Sequence, residues 1–252
     1  MFVEQSEKFI KDGFVIAKDI FPIITIDNAR VKALENFHEL QCLIALKQLP
    51  FGIGIKNGFC EIVQRHQCRF EMTYKMEENC FNFVLNDPNV KSLVSSILQC
   101  DDYIVANRSL VISIDGCSDQ AWHTDGPHMS TTTDLPCHCL NVFVPLVDVT
   151  ELSGPTEFRP GSQWYTRDLT KSMLIAKLKK TLRPIETPII QKGSILLFDY
   201  RVLHRGTANR SGELRPILVF TFAKPWYKDT LNFPHRSVYH QEQDEPDIKI
   251  ED

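Results

Sequence analysis

The sequence predicts a mainly β fold, an antiparallel sandwich or barrel with flanking helices and a helical N-terminal section. Three observations support this prediction. Apolar residues recur at helical spacing in several stretches before residue 101. After that point the chain consists of short runs rich in β-branched and aromatic residues, each bounded by Gly, Pro, Asp or Asn. The length of 252 residues suits a single domain of this kind.

We therefore expect one domain over residues 1–252. Residues 1–100 are predicted to form mostly helical support, residues 101–225 the β core, and residues 226–252 a tail that is acidic from residue 241 onwards. The sequence contains no internal repeat and no low-complexity tract, so a single core is expected.

The first elements alternate between helix and strand. A short helix is predicted over residues 4–12, followed by a strand-like run over residues 13–17. Residues 25–47 then have the apolar spacing of an amphipathic helix. Either Thr25 or Asp27 is a suitable N-terminal cap for it, because both side chains can accept a hydrogen bond from the first turn.

A loop, a further helix and the β section follow. Residues 50–60 contain several glycines and are predicted to form the loop. Residues 87–100 are predicted to be helical, since Pro88 suits a first helical turn. The strands are predicted at residues 103–114, 140–147, 156–158, 189–190, 194–199, 202–204 and 216–222.

Residues 164–181 interrupt the β section with helical spacing and a strongly basic composition. The stretch contains one acidic residue, Asp168, and five basic residues, Arg167, Lys171, Lys177, Lys179 and Lys180. One interpretation is a helix with a solvated face. The other is a lid that meets an anionic substrate.

The composition is that of an ordinary globular protein, with 43% hydrophobic and 24% charged residues. A net charge of −4 and an isoelectric point near 6.1 argue against a nucleic-acid binder. No run is long enough for a transmembrane helix, and neither a secretory signal nor a C-terminal peroxisomal signal is recognisable. We expect a cytoplasmic protein with a small-molecule substrate, no nucleic-acid partner and no membrane partner; the sequence does not predict the oligomeric state.

The eight cysteines are scattered and include no Cys-x-x-Cys pair. Structural zinc usually needs two closely spaced pairs. Cys137 and Cys139 flank His138, but this trio lies in an apolar run predicted to be a strand. The cysteines are therefore interpreted as reduced, mostly buried thiols.

The segment Trp122-His123-Thr124-Asp125-Gly126 offers two metal ligands. Side chains two positions apart on an extended chain point to the same face, so His123 and Asp125 can reach one ion. A third ligand, His204, stands at the end of a later predicted strand. Two histidines and one carboxylate on one face of an iron(II) ion leave three adjacent positions open for a co-substrate and oxygen.

Arg215 is the candidate for binding the far end of such a co-substrate. It follows His204 by a short stretch and stands immediately before Pro216. If the predicted strands 202–204 and 217–222 are antiparallel neighbours, Arg215 points into the cavity that holds the metal. A guanidinium group can bind a carboxylate with two parallel hydrogen bonds.

Five pieces of sequence, in this order, resemble the phytanoyl-CoA dioxygenase family of Fe(II)- and 2-oxoglutarate-dependent oxygenases. They are Trp-His-x-Asp at 122–125, Pro-Leu-Val-Asp-Val at 145–149, Gly-Pro-Thr-Glu-Phe-x-Pro-Gly-Ser at 154–162, His-Arg-Gly-x-x-Asn-x-Ser at 204–211 and Arg-Pro at 215–216. Asp-Gly-Phe-Val at 12–15 and Arg-Phe at 69–70 also fit the family's N-terminal pattern, so the resemblance covers most of the chain.

The resemblance implies a double-stranded β-helix, a jelly-roll or cupin-like barrel with iron at one open end. It implies that His123, Asp125 and His204 bind the metal and that Arg215 binds the distal carboxylate of 2-oxoglutarate. Two further contacts to the co-substrate are expected from it. They are Asn141, at a position where the family often has a polar partner, and Arg69.

One departure concerns the second residue after the distal histidine. Some relatives have a serine there, whereas this chain has Gly206. No hydroxyl contact from this position can therefore be expected.

The resemblance also implies the activity and its cofactors. These are Fe(II), 2-oxoglutarate and O2, with ascorbate as a further candidate, and the products are succinate, carbon dioxide and an oxidised small molecule. Related halogenases lack the carboxylate ligand so that chloride can bind, so the presence of Asp125 favours hydroxylation. Desaturation or cyclisation at the same site is an alternative.

Two other interpretations stay open. The first is a non-catalytic family member that senses metal or 2-oxoglutarate. The second is a zinc hydrolase, because two histidines and an acid also suit zinc; Arg215 would have no role there. His128 is an alternative ligand, but Gly126 and Pro127 prevent a helix that could align it with His123.

Overall fold

Two antiparallel sheets form the β part of the molecule. The computed structural model describes residues 2–73, 79–130, 132–168, 171, 174–175, 178–179, 183–229 and 233–239. The strands are β1 (Phe14–Ala17), β2 (Ile62–His66), β3 (Arg69–Thr73), β4 (Ile104–Ser113), β5 (Cys139–Pro145), β6 (Thr156–Phe158), β7 (Ile195–Asp199), β8 (His204–Gly206) and β9 (Arg215–Ala223). The larger sheet has the order β1-β7-β5-β9-β4-β3-β2, and β6 pairs with β8 in the smaller one.

In the part of the chain that the structure describes, four α-helices precede most of the strands. They are α1 (Val3–Asp12), α2 (Ile23–Leu46), α3 (Phe83–Asn86) and α4 (Pro88–Leu98). Short 3-10 helices cover Ile55–Asn57, Asn79–Phe81, Ser162–Trp164 and Thr166–Asp168. The predicted mainly β fold with a helical N-terminal section is thus confirmed. No helix in the described part of the chain combines the length and the apolar character needed to cross a membrane.

The larger sheet has one face towards the helices and one towards a cavity. Alternate residues of β5 and β9, such as Val142 and Phe220, are fully buried in a core that includes the apolar side of α2. Their neighbours, such as Asn141 and Thr221, line the cavity. Because side chains alternate across a strand, a mostly apolar β9 still presents polar groups on one face. This alternation positions the site.

The smaller sheet packs against one end of the larger one through aromatic rings. Phe158 of β6 stacks on Phe14 of β1 with ring centroids 4.4 Å apart. It also meets Phe198 of β7 edge-on at 5.4 Å. These contacts hold β8, which carries His204, above the inner face of the larger sheet.

The observed start of α4 agrees with the prediction from the sequence, whereas the observed start of α2 does not. Oδ1 of Asp87 accepts hydrogen bonds from the backbone N–H groups of Asn89 and Val90, as an N-cap should. The predicted cap of α2 is wrong, because the helix begins at Ile23 and encloses both Thr25 and Asp27. No side chain caps it.

The hairpin of β2 and β3 was not predicted. These strands extend the larger sheet beyond β4. Their alternation places charged residues, Arg69 and Glu71, on the cavity face and apolar residues, Phe70 and Met72, in the core. This polar and apolar alternation is the pattern of a half-buried strand, so the sequence carried a signal that the prediction did not use.

Three other predictions concern the middle and the end of the chain. The strand predicted at 189–190 is only an isolated bridge between Val149 and Ile190. The predicted helix over 164–181 is described in part: residues 164 and 166–168 belong to 3-10 helices, and residues 171, 174–175 and 178 are α-helical. The acidic tail from 241 lies outside the described residues. The stretch predicted as a tail contacts the barrel as far as it is described, since Val238 is buried and its N–H donates to Glu61.

Candidate metal centre and anion pocket

His123, Asp125 and His204 converge at one end of the cavity. Each offers one ligand atom, and these atoms lie within 4.8 Å of one another. Oδ1 of Asp125 is 3.8 Å from Nε2 of His123 and 3.6 Å from Nε2 of His204. Two imidazoles and one carboxylate in this arrangement can share a divalent ion, and an iron(II) ion so bound keeps open positions. The three residues predicted to bind the metal are thus brought together.

The backbone explains why residues so far apart in sequence meet. His123 and His204 form an antiparallel bridge in which each N–H donates to the other's carbonyl over 3.0 Å. The N–H groups of Asp125 and Gly126 both donate to the carbonyl of Tyr200, at 2.9 and 3.0 Å. A Cβ at Gly126 would collide with the Tyr200 ring, so the glycine permits this close approach.

Both imidazoles are oriented by a second hydrogen bond. Nδ1 of His123 donates to the carbonyl of Ala121 over 2.8 Å, and Nδ1 of His204 to that of Val202 over 3.0 Å. Because a carbonyl only accepts, Nδ1 carries the hydrogen, and Nε2 keeps its lone pair for a metal. Burial lowers the pKa of His204, although the Asp125 charge opposes this, so the ring favours the neutral form that binds metals.

A chain of side chains fixes the carboxylate of Asp125. Nδ2 of Asn141 donates to Oδ2 of Asp125 over 2.7 Å. The hydroxyl of Thr221 donates to Oδ1 of Asn141, also over 2.7 Å. Asn141 and Thr221 face each other across β5 and β9. The other carboxylate oxygen, Oδ1, remains on the side of the two imidazoles.

At the other end of the cavity, two buried arginines flank a serine across three strands. Arg69 pairs with Ser113 in the β3–β4 register, and Ser113 with Arg215 in the β4–β9 register. Nη2 of Arg215 donates to Oγ of Ser113 over 2.8 Å. Nε and Nη1 of Arg215 and Nε of Arg69 are buried without a hydrogen-bond partner.

Neither guanidinium group has a counter-ion among the described residues, since no carboxylate there lies within 4.0 Å of either arginine. Burial and the nearby charge of Arg69 lower the pKa of Arg215 to about 9, and burial lowers that of Arg69. A buried cation with unused donors is costly unless it is paired. The pocket therefore fits an anion, and the unused N–H donors of Arg215 suit a carboxylate.

Arg215 reaches this cavity by a route other than the predicted one. The prediction made strands 202–204 and 217–222 antiparallel neighbours, and this is wrong. β8 pairs with β6, whereas β9 lies between β5 and β4 in the larger sheet. The alternation along β9 turns Arg215, Val219 and Thr221 to the cavity face, so Arg215 faces the metal ligands from the opposite sheet.

Gly206 lies beside the second arginine. A Cβ at this position would overlap Nη1 of Arg69 and crowd Oε1 of Gln120. Nη2 of Arg69 donates to the carbonyl of Thr207 over 3.0 Å, which holds the guanidinium over the glycine. In this chain a guanidinium therefore fills the space that a side chain at position 206 would need.

The cavity has a volume of about 450 Å³. Its lining includes residues that were not predicted from the sequence, Arg65, Glu71, Asn107, Tyr200, Asp229 and Phe233. Arg65 pairs with Glu71 over 2.7 Å, and the Tyr200 hydroxyl donates to Asp229 over 2.8 Å. Burial and the Asp125 charge raise the pKa of Asp229. No motif marked these residues, because they become neighbours only through the fold.

The remaining candidates lie outside the site. Nε2 of His128, the alternative ligand, hydrogen bonds Oγ1 of Thr166 over 2.7 Å. His138 is buried and stacks on Trp226 with ring centroids 5.9 Å apart. Burial raises the thiol pKa of its neighbours Cys137 and Cys139. Within the described residues, only His123, Asp125 and His204 form a cluster of potential metal ligands.

The fold is shared with solved structures of low sequence identity. AviO1 from Streptomyces viridochromogenes Tue57 superposes with a TM-score of 0.63 at 19% identity, over 91% of this chain and 97% of that one. The carbocyclase SnoK from nogalamycin biosynthesis gives a TM-score of 0.63 at 15% identity, over 89% and 84%. HygX from Streptomyces hygroscopicus, solved with nickel, 2-oxoglutarate and hygromycin B, gives 0.63 at 11% identity, over 90% and 89%.

These likenesses confirm the double-stranded β-helix fold that the sequence implied. The family comparison goes further, because it matches sequence rather than shape alone. The model of the family described as phytanoyl-CoA dioxygenase (PhyH) matches residues 11–217. This range includes the metal ligands and both arginines of the anion pocket. The chain therefore belongs to the phytanoyl-CoA dioxygenase family, whose members are non-haem iron, 2-oxoglutarate-dependent oxidoreductases.

Proposed function

We propose that this protein is an Fe(II)- and 2-oxoglutarate-dependent dioxygenase that hydroxylates an unactivated C–H bond of a small molecule. One observation carries the proposal: the His123, Asp125 and His204 cluster shares a cavity with a buried arginine pair that has no counter-ion in the described part of the chain. The balanced reaction is substrate C–H, O2 and 2-oxoglutarate to alcohol, succinate and carbon dioxide. When bound, iron and 2-oxoglutarate supply the oxidising chemistry.

The protein residues bind and orient these groups. His123, Asp125 and His204 would hold the iron through Nε2, Oδ1 and Nε2. Arg215, fixed by Ser113, would bind the distal carboxylate of 2-oxoglutarate. Arg69 would add a second positive charge at that end. Such fixed, partly desolvated charges bind an anion without reorganising first.

The wall between the two ends of the cavity is apolar. Phe143 and Val219 face each other across β5 and β9 and line the cavity. A methylene chain between two carboxylates would lie against them. Apolar walls exclude water next to a reactive centre, which protects it from side reactions.

The substrate is a small molecule by analogy with HygX, which was solved with hygromycin B bound. Phytanoyl-CoA does not follow from the family name, because substrate pockets vary on a shared fold. SnoK and the related SnoN are described as a carbocyclase and an epimerase. Cyclisation, epimerisation or desaturation at the same site is therefore the second candidate.

Succinate release with metabolite pools tests the proposal. We expect Fe(II)-, O2- and 2-oxoglutarate-dependent succinate, together with a product that has gained one oxygen atom. A product that has lost two hydrogens, or an isomer, would favour the second candidate. Anaerobic calorimetry with 2-oxoglutarate separates the other interpretations. Binding without succinate from any pool would indicate a sensor, and zinc-dependent hydrolysis without 2-oxoglutarate binding would indicate a hydrolase.

A further inference from the structure

We propose that Asn141 is a positioning residue for Asp125, with Thr221 supporting its amide through a hydrogen bond. This inference rests on the proposed function, because it assigns a role at the metal centre. It differs from the role that family resemblance suggests for position 141, a direct contact to the co-substrate. The two roles affect different measurable quantities, so they can be separated.

The carboxylate of Asp125 determines which way the Asn141 amide faces, because a carboxylate only accepts hydrogen bonds. Nδ2 of Asn141 therefore faces Asp125 and donates to Oδ2 over 2.7 Å. The other end of the amide, Oδ1, then accepts from the hydroxyl of Thr221 over 2.7 Å. The reverse orientation would put two oxygens together at Asp125. The three side chains therefore form one directed chain of hydrogen bonds.

The amide restrains the carboxylate from the side opposite the imidazoles. Oδ2 of Asp125 is bound by Asn141, while Oδ1 lies 3.6 and 3.8 Å from the two imidazole nitrogens. A hydrogen bond to a carboxylate is stronger than one between neutral groups, and more so away from water. Asn141 and Thr221 are 5% and 1% exposed, so water does not compete for these contacts. Rotation of the carboxylate would break the bond to Nδ2.

The contacts leave Asn141 little capacity for a second role. Its Oδ1 accepts from Thr221, and one of its two N–H donors is used at Asp125. Thr221 pairs with Asn141 in the strand register, so the support comes from the sheet and not from a loop. Hydrogen-bond partners of metal ligands commonly change metal affinity when they are removed.

The experiment measures two affinities on the same variants. Mn(II) binding is titrated without co-substrate, by electron paramagnetic resonance, and 2-oxoglutarate binding is titrated anaerobically at saturating Mn(II). We expect Asn141→Leu, which keeps the shape without the donor, to weaken Mn(II) binding by about 10- to 100-fold. Thr221→Val should weaken it in the same direction by a few-fold. The 2-oxoglutarate affinity of the metal-loaded variants should stay within about twofold of the wild type.

Asn107→Leu is the matched control, because Asn107 lines the same cavity and pairs with Thr221 in the β4–β9 register but does not contact Asp125. It should leave Mn(II) affinity unchanged. Melting temperatures of all variants verify that they fold. If Asn141→Leu does not fold, the Mn(II) affinity of Thr221→Val tests the inference.

Two results would overturn the inference. In one, Asn141→Leu and Thr221→Val bind Mn(II) like the wild type. In the other, Asn141→Leu weakens 2-oxoglutarate binding while Mn(II) affinity is unchanged, as a direct co-substrate contact requires. If the wild-type protein itself binds no Mn(II), the proposed function fails together with the inference, and that outcome is distinct from the other two.

Discussion

Gly206 lies against the guanidinium group of Arg69, so closely that a Cβ at position 206 would overlap Nη1. The glycine therefore determines where this charge can stand. The backbone φ of Gly206 is not positive, so an alanine at this position would not strain the backbone. Its Cβ would instead collide with the side chain of Arg69 and crowd that of Gln120. A substitution at position 206 would therefore displace the guanidinium group of Arg69, whereas a substitution of Arg69 itself would remove it.

We expect Gly206→Ala to weaken 2-oxoglutarate binding, measured by calorimetry on the Mn(II)-loaded protein. The displaced guanidinium loses a charge-assisted hydrogen bond, which corresponds to a loss of roughly 10- to 100-fold. Gly52→Ala is the control, because the nearest atom to its Cβ is 3.7 Å away. The double variant Gly206→Ala/Arg69→Ala should bind about as well as Arg69→Ala alone, since both changes remove one contact. Additive losses would contradict the coupling.

Arg215→Ala should raise the concentration of 2-oxoglutarate required for turnover far more than it changes the melting temperature. In the free protein this guanidinium has no acidic partner among the described residues, so its removal breaks no ion pair. Arg215→Lys should have an intermediate effect, since an ammonium group cannot form two parallel bonds to a carboxylate. An unchanged requirement in Arg215→Ala would mean that another residue holds the co-substrate.

His123→Ala and Asp125→Ala should each abolish iron-dependent succinate formation with little loss of stability. The reason is that both side chains face the cavity and are partly exposed, with side-chain exposures of 36% and 24%. His128→Ala serves as the control for a nearby histidine outside the cluster. If both variants retained iron-dependent succinate formation, the assignment of His123 and Asp125 as metal ligands would be wrong.

Two of the three metal ligands and most elements could be predicted from the sequence because they depend on local spacing. His123 and Asp125 follow from the alternation of side chains on an extended chain. Arg215 was correctly placed in the cavity, but through a wrong strand pairing, since β8 belongs to a second sheet. The pattern of hydrophobic residues does not specify which sheet a short strand joins.

The cavity residues that belong to no motif could not be predicted, for a different reason. Asp229 and Tyr200 become neighbours only through the fold, which brings the stretch after β9 to the cavity. The hairpin that carries Arg69 and Glu71 was missed although residues 69–73 alternate between polar and apolar side chains, which is the pattern of a half-buried strand.

The buried pair of Asp199 and Arg201 should be a strong determinant of stability. Arg201 donates from Nε to Oδ1 and from Nη2 to Oδ2 of Asp199, at 2.8 and 2.7 Å, and its side chain is 1% exposed. Asp199→Ala leaves an uncompensated buried cation, so we expect a loss of about 3–5 kcal/mol in the free energy of unfolding. The double variant Asp199→Leu/Arg201→Met should lose less free energy of unfolding than Asp199→Ala, as measured by denaturant unfolding. A larger loss in the double variant would contradict this account.

His138 should make the protein less stable in mild acid. Burial and the charge of Arg201 lower its pKa to about 4, whereas a histidine in the unfolded chain titrates near 6.5. Between these values the unfolded chain binds the extra proton, so stability falls as the pH falls from about 6.5 towards 4. The contribution reaches about 2–3 kcal/mol near pH 4.5. Denaturant unfolding at pH 7 and 4.5 should therefore give a smaller difference for His138→Leu than for the wild type, because all other titrating groups are common to both. Equal differences would mean that His138 is protonated in the folded protein.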